Sequence, residues 1–320
     1  MNEILKVDNL AVDYSNVPIV RNVSFNIEKG EILGIVGESG CGKSTLMKAI
    51  LQLMANNASV PEGAIEFLGK DLLKTSGEEM RHLRGDRLGV IFQNPGITLN
   101  PLRKIRTQFL ETLKTHRSVD RDKAYEEIKE LFAKLNLKDG ERVLESYPFE
   151  LSGGMSQRVA IALAMIMQPD LLLADEPTSA LDVTVAAQSV EEMMRLRDRF
   201  GTSILIITHS MGVIAHMVDK VGVMYAGRMV EYGPKRSVMV ETRHPYTKAL
   251  MEAIPEINGQ TPHGVDGRPP AFGEKIEGCP FAPRCQYATD ECLKTTPVLT
   301  DLGGGHKTSC IQVLKGAVTV

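Results

Sequence analysis

The stretch Gly37-Glu38-Ser39-Gly40-Cys41-Gly42-Lys43-Ser44-Thr45 constrains this chain more than any other. Its spacing is G-x-x-x-x-G-K-[ST], which carries meaning only when a strand runs into it and a helix leaves it. Both are legible. Ile32-Leu33-Gly34-Ile35-Val36 reads as a buried strand, and Leu46-Met47-Lys48-Ala49-Ile50-Leu51 reads as a helix. Gly37, Gly40 and Gly42 let the backbone bend so that successive N–H groups face one point, at which the positive end of the helix also aims. Lys43 can then reach the terminal phosphates of a nucleotide, and the Ser44 hydroxyl can ligate Mg²⁺. A Gly-rich turn with a chance Lys-Ser would not require the flanking strand and helix. The sequence predicts a nucleotide site built from all nine residues.

At 320 residues the chain has room for one large domain and a smaller one, or for two modest ones. Apolar residues at 43% and charged residues at 24% fit an ordinary globular protein, and a net charge of −3 gives no case for a nucleic-acid surface. The longest apolar run, Val159–Met167, is about half of a bilayer span. Met1-Asn2-Glu3 opens neither a basic segment nor an apolar core, so no signal peptide is expected. These features predict a cytosolic protein whose membrane role comes through a partner.

Short alternating segments fill residues 1–36, at Ile4–Val7, Leu10–Tyr14 and Val23–Ile27, and predict an antiparallel β-region beside the nucleotide core. Tyr14 lies ahead of the loop, where its ring can stack on a base, although a lone Tyr more often packs in a core. Gly63–Gly69 and Leu88–Gln93 read as strands, with Asn94-Pro95-Gly96 breaking the second. From about 97 to 160 the period becomes helical, clearest in Ala124–Leu135, and predicts a helical insertion. Leu171–Pro177 reads as a buried strand ending in Asp175 and Glu176, and Ile204–His209 as another ending in a His. Strands alternating with helices imply a parallel sheet, whose ligands bind at the carboxyl ends of the strands. Gln93, Asp175, Glu176 and His209 all fall at such ends.

Taken together, the chain resembles the ATP-binding subunit of an ABC transporter. The resemblance rests on the loop 37–45, Gln93, Leu151-Ser152-Gly153-Gly154-Met155-Ser156-Gln157, Leu173–Pro177, Ser179-Ala180-Leu181-Asp182 and His209, in the family's order over roughly residues 1–235. It implies an α/β P-loop core with an N-terminal antiparallel β-subdomain, a helical subdomain at about 97–160 and a Cys-rich C-terminal extension, divided as 1–240 and 241–320. It implies Asp175, with Ser44 and Gln93, around Mg²⁺, and Glu176 as general base. His209 would contact the γ-phosphate. Ser152, Gly153, Gly154 and Met155, with Asp182, would meet ATP across a dimer of nucleotide domains. Met155 stands where many members have Gln, and Ser210 where Asp is common; neither change removes a catalytic group.

Met155 and the segment His244-Pro245-Tyr246-Thr247-Lys248-Ala249-Leu250 are similar to peptide- and nickel-importer ATPases, so the resemblance implies ATP hydrolysis that drives import of di- or oligopeptides or a similar solute. The implied partners are a second ATPase subunit, expected to be a different chain, two membrane permease subunits and an extracytoplasmic solute-binding protein, with no nucleic acid. The implied location is the cytoplasmic face of the membrane. The rival reading is a soluble, non-transport ABC ATPase of the iron–sulfur assembly type. Cys279, Cys285, Cys292 and Cys310 are spaced C-x₅-C-x₆-C-x₁₇-C, without the tight pairs of zinc fingers. They match ligands of a [4Fe–4S] cluster in related ATPases. Zinc and metal-free thiols are the alternatives. His306 reads as a surface residue that could replace one ligand. The segment 255–310, rich in Pro and Gly, has too few apolar runs for a core of its own, so a metal is expected to staple it.

Overall fold

The computed structural model describes residues 2–320 apart from 94–97, 180, 255–263 and 272. The Asn94-Pro95-Gly96 break, Ala180 and the start of the Pro- and Gly-rich tail therefore lie outside the described residues. The chain forms two compact units. One comprises Leu5–Ile27, Ile32–Leu73 and Ile207–Val320; the other comprises Met1–Ile4, Glu28–Glu31 and Lys74–Ile206.

The first unit contains the phosphate loop. Its antiparallel sheet has the order β2-β1-β4-β5, with β1 at Glu3–Tyr14, β2 at Val17–Glu28, β4 at Ala58–Phe67 and β5 at Lys70–Asp71. The short segments expected near the N-terminus are thus two long strands. Their alternation buries Leu5, Val7, Leu10 and Val12 on β1, and Val23, Phe25 and Ile27 on β2. The register between β1 and β4 slips between Asp8 and Ala11. Gly63 permits this with φ of +102°, since a Cβ there would lie 2.6 Å from the Leu10 Cα.

A second set of strands in the same unit begins with β3, Ile32–Val36, every residue of which is buried. It runs parallel to β9, Lys220–Tyr225, and β9 turns into β10, Arg228–Pro234, through Ala226 and Gly227, both at positive φ. β12, Lys307–Thr308, then pairs with β10, and β11, Thr300–Asp301, with β12. The C-terminal residues thus add two short strands to the edge that begins at the phosphate-loop strand.

The tail is also anchored by side chains. Tyr225, Tyr246 and Phe281 form an aromatic cluster, with ring centroids 4.6, 5.4 and 5.3 Å apart. His306, expected at the surface, is 6% exposed and lies 2.8 Å from the buried Glu231 carboxylate. Among the described residues, strand pairing, ring packing and charged contacts anchor this segment. With few apolar runs, the tail packs Phe281 on Tyr246 and on Tyr225 of β9 instead of building a core of its own.

The second unit carries β6, Leu88–Ile91, parallel to β7, Leu171–Asp175, with β8, Ser203–Thr208, on the other side of β7. β6 stops two residues short of Gln93. The helical insertion is present: helices Ile105–His116, Arg121–Lys134, Gly140–Glu145 and Gly153–Met165, the last running past the expected limit at 160. Phe109 and Phe132 meet edge-on at 5.3 Å and, with Ile105, Leu113 and Ile128, form its buried centre. Among the described residues, no helix is long and apolar enough to cross a membrane.

His244 ties the tail to the solution pH. It caps helix Pro245–Glu252, its Nδ1 accepting from the Tyr246 N–H at 3.1 Å, and burial lowers its pKa to about 3. The folded ring stays neutral while the unfolded ring protonates near its ordinary value of about 6.5. The unfolded state therefore binds the extra proton, and stability falls as pH drops from about 6.5 towards 3. Between pH 7.0 and 5.5 urea unfolding should lose about 1 kcal/mol through this residue, and His244→Asn should flatten the profile by that amount. An unchanged profile would contradict the buried neutral ring.

Candidate functional site

β3 delivers the chain into the loop, and the loop's shape depends on its glycines. A Cβ on Gly37 would sit 2.1 Å from the Met224 carbonyl oxygen, so no larger residue fits beneath β9. Gly42 caps the helix Lys43–Ile50 in the left-handed region, at φ of +100°. Lys43, 5% exposed, folds back over the loop and donates to the carbonyls of Gly37 at 2.6 Å and Glu38 at 3.0 Å. Its ammonium is thus held at the centre of the loop, on bonds that an incoming phosphate can replace. Cys41 is buried against it, and burial pushes this thiol up despite the nearby charge. Ser44 is exposed and Thr45 half-buried at the start of the helix, while Ser39 and Gly40 are exposed.

Elsewhere in this unit Tyr14 ends β1 opposite Ala58 and is half-buried, which leaves ring surface for stacking. His209 follows the last residue of β8 and is exposed.

In the second unit β7 is buried throughout and ends at Asp175, 9% exposed. Glu176 follows in the left-handed region, with φ of +45°, an uncommon conformation for a non-glycine residue. Gln93 Nε2 donates to Glu176 Oε2 at 3.1 Å, and Ser179 donates to the Glu176 carbonyl from both N–H and hydroxyl at 3.1 Å. Gln93 and Glu176, 83 residues apart in sequence, thus form one polar pair beside Asp175.

Ser152 caps helix Gly153–Met165, its hydroxyl accepting from the Met155 N–H at 3.3 Å. Ser152 and Gly153 are exposed, and Gly154 and Met155 are half-buried, so the first turn of a 13-residue helix faces outward as an anion site would. Asp182 caps Val183–Phe200, accepting from Thr184 and Val185 at 3.1 and 3.0 Å. Its carboxylate therefore has a local structural use beside any contact with nucleotide.

The four tail cysteines come together around one cavity. Cys279 N–H donates to the Cys292 carbonyl at 2.7 Å. Burial pushes the Cys279 thiol up to about 11 and raises Cys285 and Cys310. Cys292 differs. Burial raises it too, but hydrogen bonds with Thr289 and Gln312 together bring it below the ordinary thiol range. The cavity they line measures about 20 Å³, room for about one water. Among the described residues, no three His, Cys, Asp or Glu side chains are grouped to hold a metal ion. The donor types suit an iron–sulfur cluster, but their placement does not fit one without widening.

Two residues at the loop carry no motif signal. Tyr246 lends its hydroxyl to the Glu38 N–H at 3.0 Å, and Arg284 pairs with the Glu38 carboxylate at 2.7 and 3.0 Å. Both lie inside stretches marked by their sequence, His244–Leu250 and Cys279–Cys285. No local pattern reports a contact spanning more than 200 residues.

Comparison with known proteins fits this arrangement. The family described as "ABC transporter" matches residues 20–179, and "Oligopeptide/dipeptide transporter, C-terminal region" matches residues 230–292. The "Oligopeptide transport ATP-binding protein OppD" of Haemophilus influenzae is 41% identical, covering 97% of both chains. The "Dipeptide transport ATP-binding protein DppD" of Bacillus subtilis is 40% identical over 97% of this chain and 95% of its own. Among solved structures, cbiO1 from Clostridium perfringens, described as part of the cbiONQ transporter complex, superposes with a TM-score of 0.66 at 26% identity, covering 75% of this chain and 92% of its own. The cassette MJ0796, in a dimeric post-hydrolysis state bound to ADP and Pi, superposes with a TM-score of 0.64 at 25% identity, covering 73% and 99%.

Proposed function

The chain belongs to the ABC transporter family as the ATP-hydrolysing subunit of a peptide importer, and we propose that it works by closing over ATP with a second nucleotide domain. The observation that carries the catalytic assignment is the Glu176 carboxylate held by Gln93 next to Asp175, at the end of a buried strand.

In this reading Lys43 and the loop amides bind the phosphates, and Tyr14 stacks on the base. Mg²⁺, when bound, supplies charge neutralisation at the transferred phosphoryl group; Ser44, Asp175 and Gln93 are the residues to hold it. Glu176 accepts the proton of the attacking water, with its lone pair aimed by the Gln93 amide. His209 steadies the γ-phosphate. Ser152, Gly153 and Gly154 offer a helix N-terminus to ATP held on the partner domain, beside Met155 and Asp182. Residues 1–240 act as the nucleotide-binding domain and 241–320 as its extension.

The partners of this reading are a second, non-identical ATPase chain and two membrane permease subunits that dock on the helical subdomain near Gln93. A solute-binding protein would deliver peptide outside, and the chain would sit on the cytoplasmic face. The non-transport rival is disfavoured by the match of residues 230–292 to the transporter C-terminal region. Glu176→Gln should retain ATP binding, reduce turnover at least a hundredfold and accumulate ATP-bound dimer on size exclusion. Near-normal turnover would remove Glu176 from the role of base.

A [4Fe–4S] cluster on Cys279, Cys285, Cys292 and Cys310, with zinc as the alternative metal, is the finer part of the proposal. Its support is that all four thiols line one cavity. The four cysteines would hold it as thiolates. Anaerobically purified protein should contain about four irons and four sulfides per chain; neither iron nor zinc would leave the cysteines as packing residues.

A further inference from the structure

Glu38 is the second residue of the phosphate loop, an awkward place for a carboxylate. The loop gathers N–H groups and an ammonium to attract an anion, and a negative side chain among them opposes the same ligand. The structure supplies a counter-charge from the far end of the chain. Arg284 is 4% exposed at its side chain, and Glu38 is 27% exposed. The guanidinium meets the carboxylate fork to fork, Nη1 to Oε2 at 2.7 Å and Nη2 to Oε1 at 3.0 Å.

The remaining donors are also used. Nη1 donates to the Tyr225 hydroxyl at 3.2 Å, Nη2 to the Val265 carbonyl at 2.9 Å and Nε to the Asp266 carbonyl at 2.6 Å. The guanidinium carbon lies 5.7 Å from the Tyr225 ring centroid. All five N–H donors of Arg284 are therefore satisfied, and its charge is directed at one carboxylate. From the same side Tyr246 accepts the Glu38 N–H. Glu38 is thus gripped at backbone and side chain by residues of helix Pro245–Glu252 and of the cysteine segment.

We propose that Arg284 is a charge-masking and positioning residue for the phosphate loop: it neutralises Glu38 and holds its carboxylate away from the phosphates, so that ATP affinity depends on the C-terminal extension. This inference rests on the ATPase reading above. The simpler role, docking of the tail alone, predicts different behaviour. If the pair only docks the tail, removing either partner weakens the same contact, and removing both repairs nothing. If Arg284 masks a charge, Arg284→Ala exposes the carboxylate to the nucleotide, and Glu38→Gln on top of it removes the repulsion.

The test is equilibrium binding of Mg–AMP-PNP to the full chain, with melting temperature recorded for each variant. Arg284→Ala should weaken binding about tenfold at low salt, a loss of about 1.4 kcal/mol. High salt should shrink the difference. Arg284→Ala with Glu38→Gln should recover most of the affinity even if the melting temperature stays low. Arg284→Lys, which keeps charge but not the planar fork, should fall between; it serves with Glu38→Gln as the test if Arg284→Ala does not fold. Wild-type affinity in Arg284→Ala, or no recovery in the double variant, would overturn the proposal. Failure of the unsubstituted chain to bind AMP-PNP, with no further loss in Lys43→Ala, would instead overturn the ATPase reading.

Discussion

A phosphate loop must leave its backbone N–H groups open to an anion, so it cannot stabilise itself by bonding them all internally. Something outside the loop has to fix its shape. Below it, the Met224 carbonyl approaches Gly37 too closely for any Cβ. Inside it, Lys43 bonds the carbonyls of Gly37 and Glu38 rather than competing for the amides. On its flank, Tyr246 and Arg284 hold Glu38. The last support comes from residues past 240, which places the C-terminal extension among the determinants of the nucleotide site.

The extension is held by the same contacts read in the other direction. Tyr225 stacks with Tyr246 and Phe281 and also offers its hydroxyl to Arg284. Burial raises the pKa of the Tyr225 phenol even though Arg284 pulls it down, so the hydroxyl stays a neutral partner. β12 completes the edge of β10, and His306 pairs with Glu231 on that strand. These interactions explain how a stretch rich in Gly and Pro is ordered without a core of its own. They also separate two questions that the cysteines had joined in the sequence: what holds the segment, and what the thiols bind.

The phosphate-loop strand and helix, the carboxylate strand β7 and the helical insertion were legible because each has a local signature: a fixed glycine spacing, a continuous apolar run or a 3.6-residue period. The contact of Gln93 with Glu176 was not legible, since both residues lie beyond their strands in irregular backbone and are 83 residues apart. The N-terminal segments read as separate strands because Asn9 and Asp8 interrupt the apolar alternation at the register slip. Arg284 and His306 were missed as structural residues. Each is a polar side chain whose partner lies 246 or 75 residues away, and neither a period nor a spacing encodes such a pair.

Hydrogen exchange in the phosphate loop tests whether the extension fixes the shape of this loop. In the nucleotide-free chain the Glu38 amide donates to Tyr246 and the Cys41 amide to the Glu38 carbonyl, so both should exchange slowly. Removing the Arg284 side chain should speed exchange across Glu38–Cys41 while leaving β7 and the helix Gly153–Met165 unchanged. Equal protection of the loop with and without Arg284 would mean that the loop holds its shape without the extension.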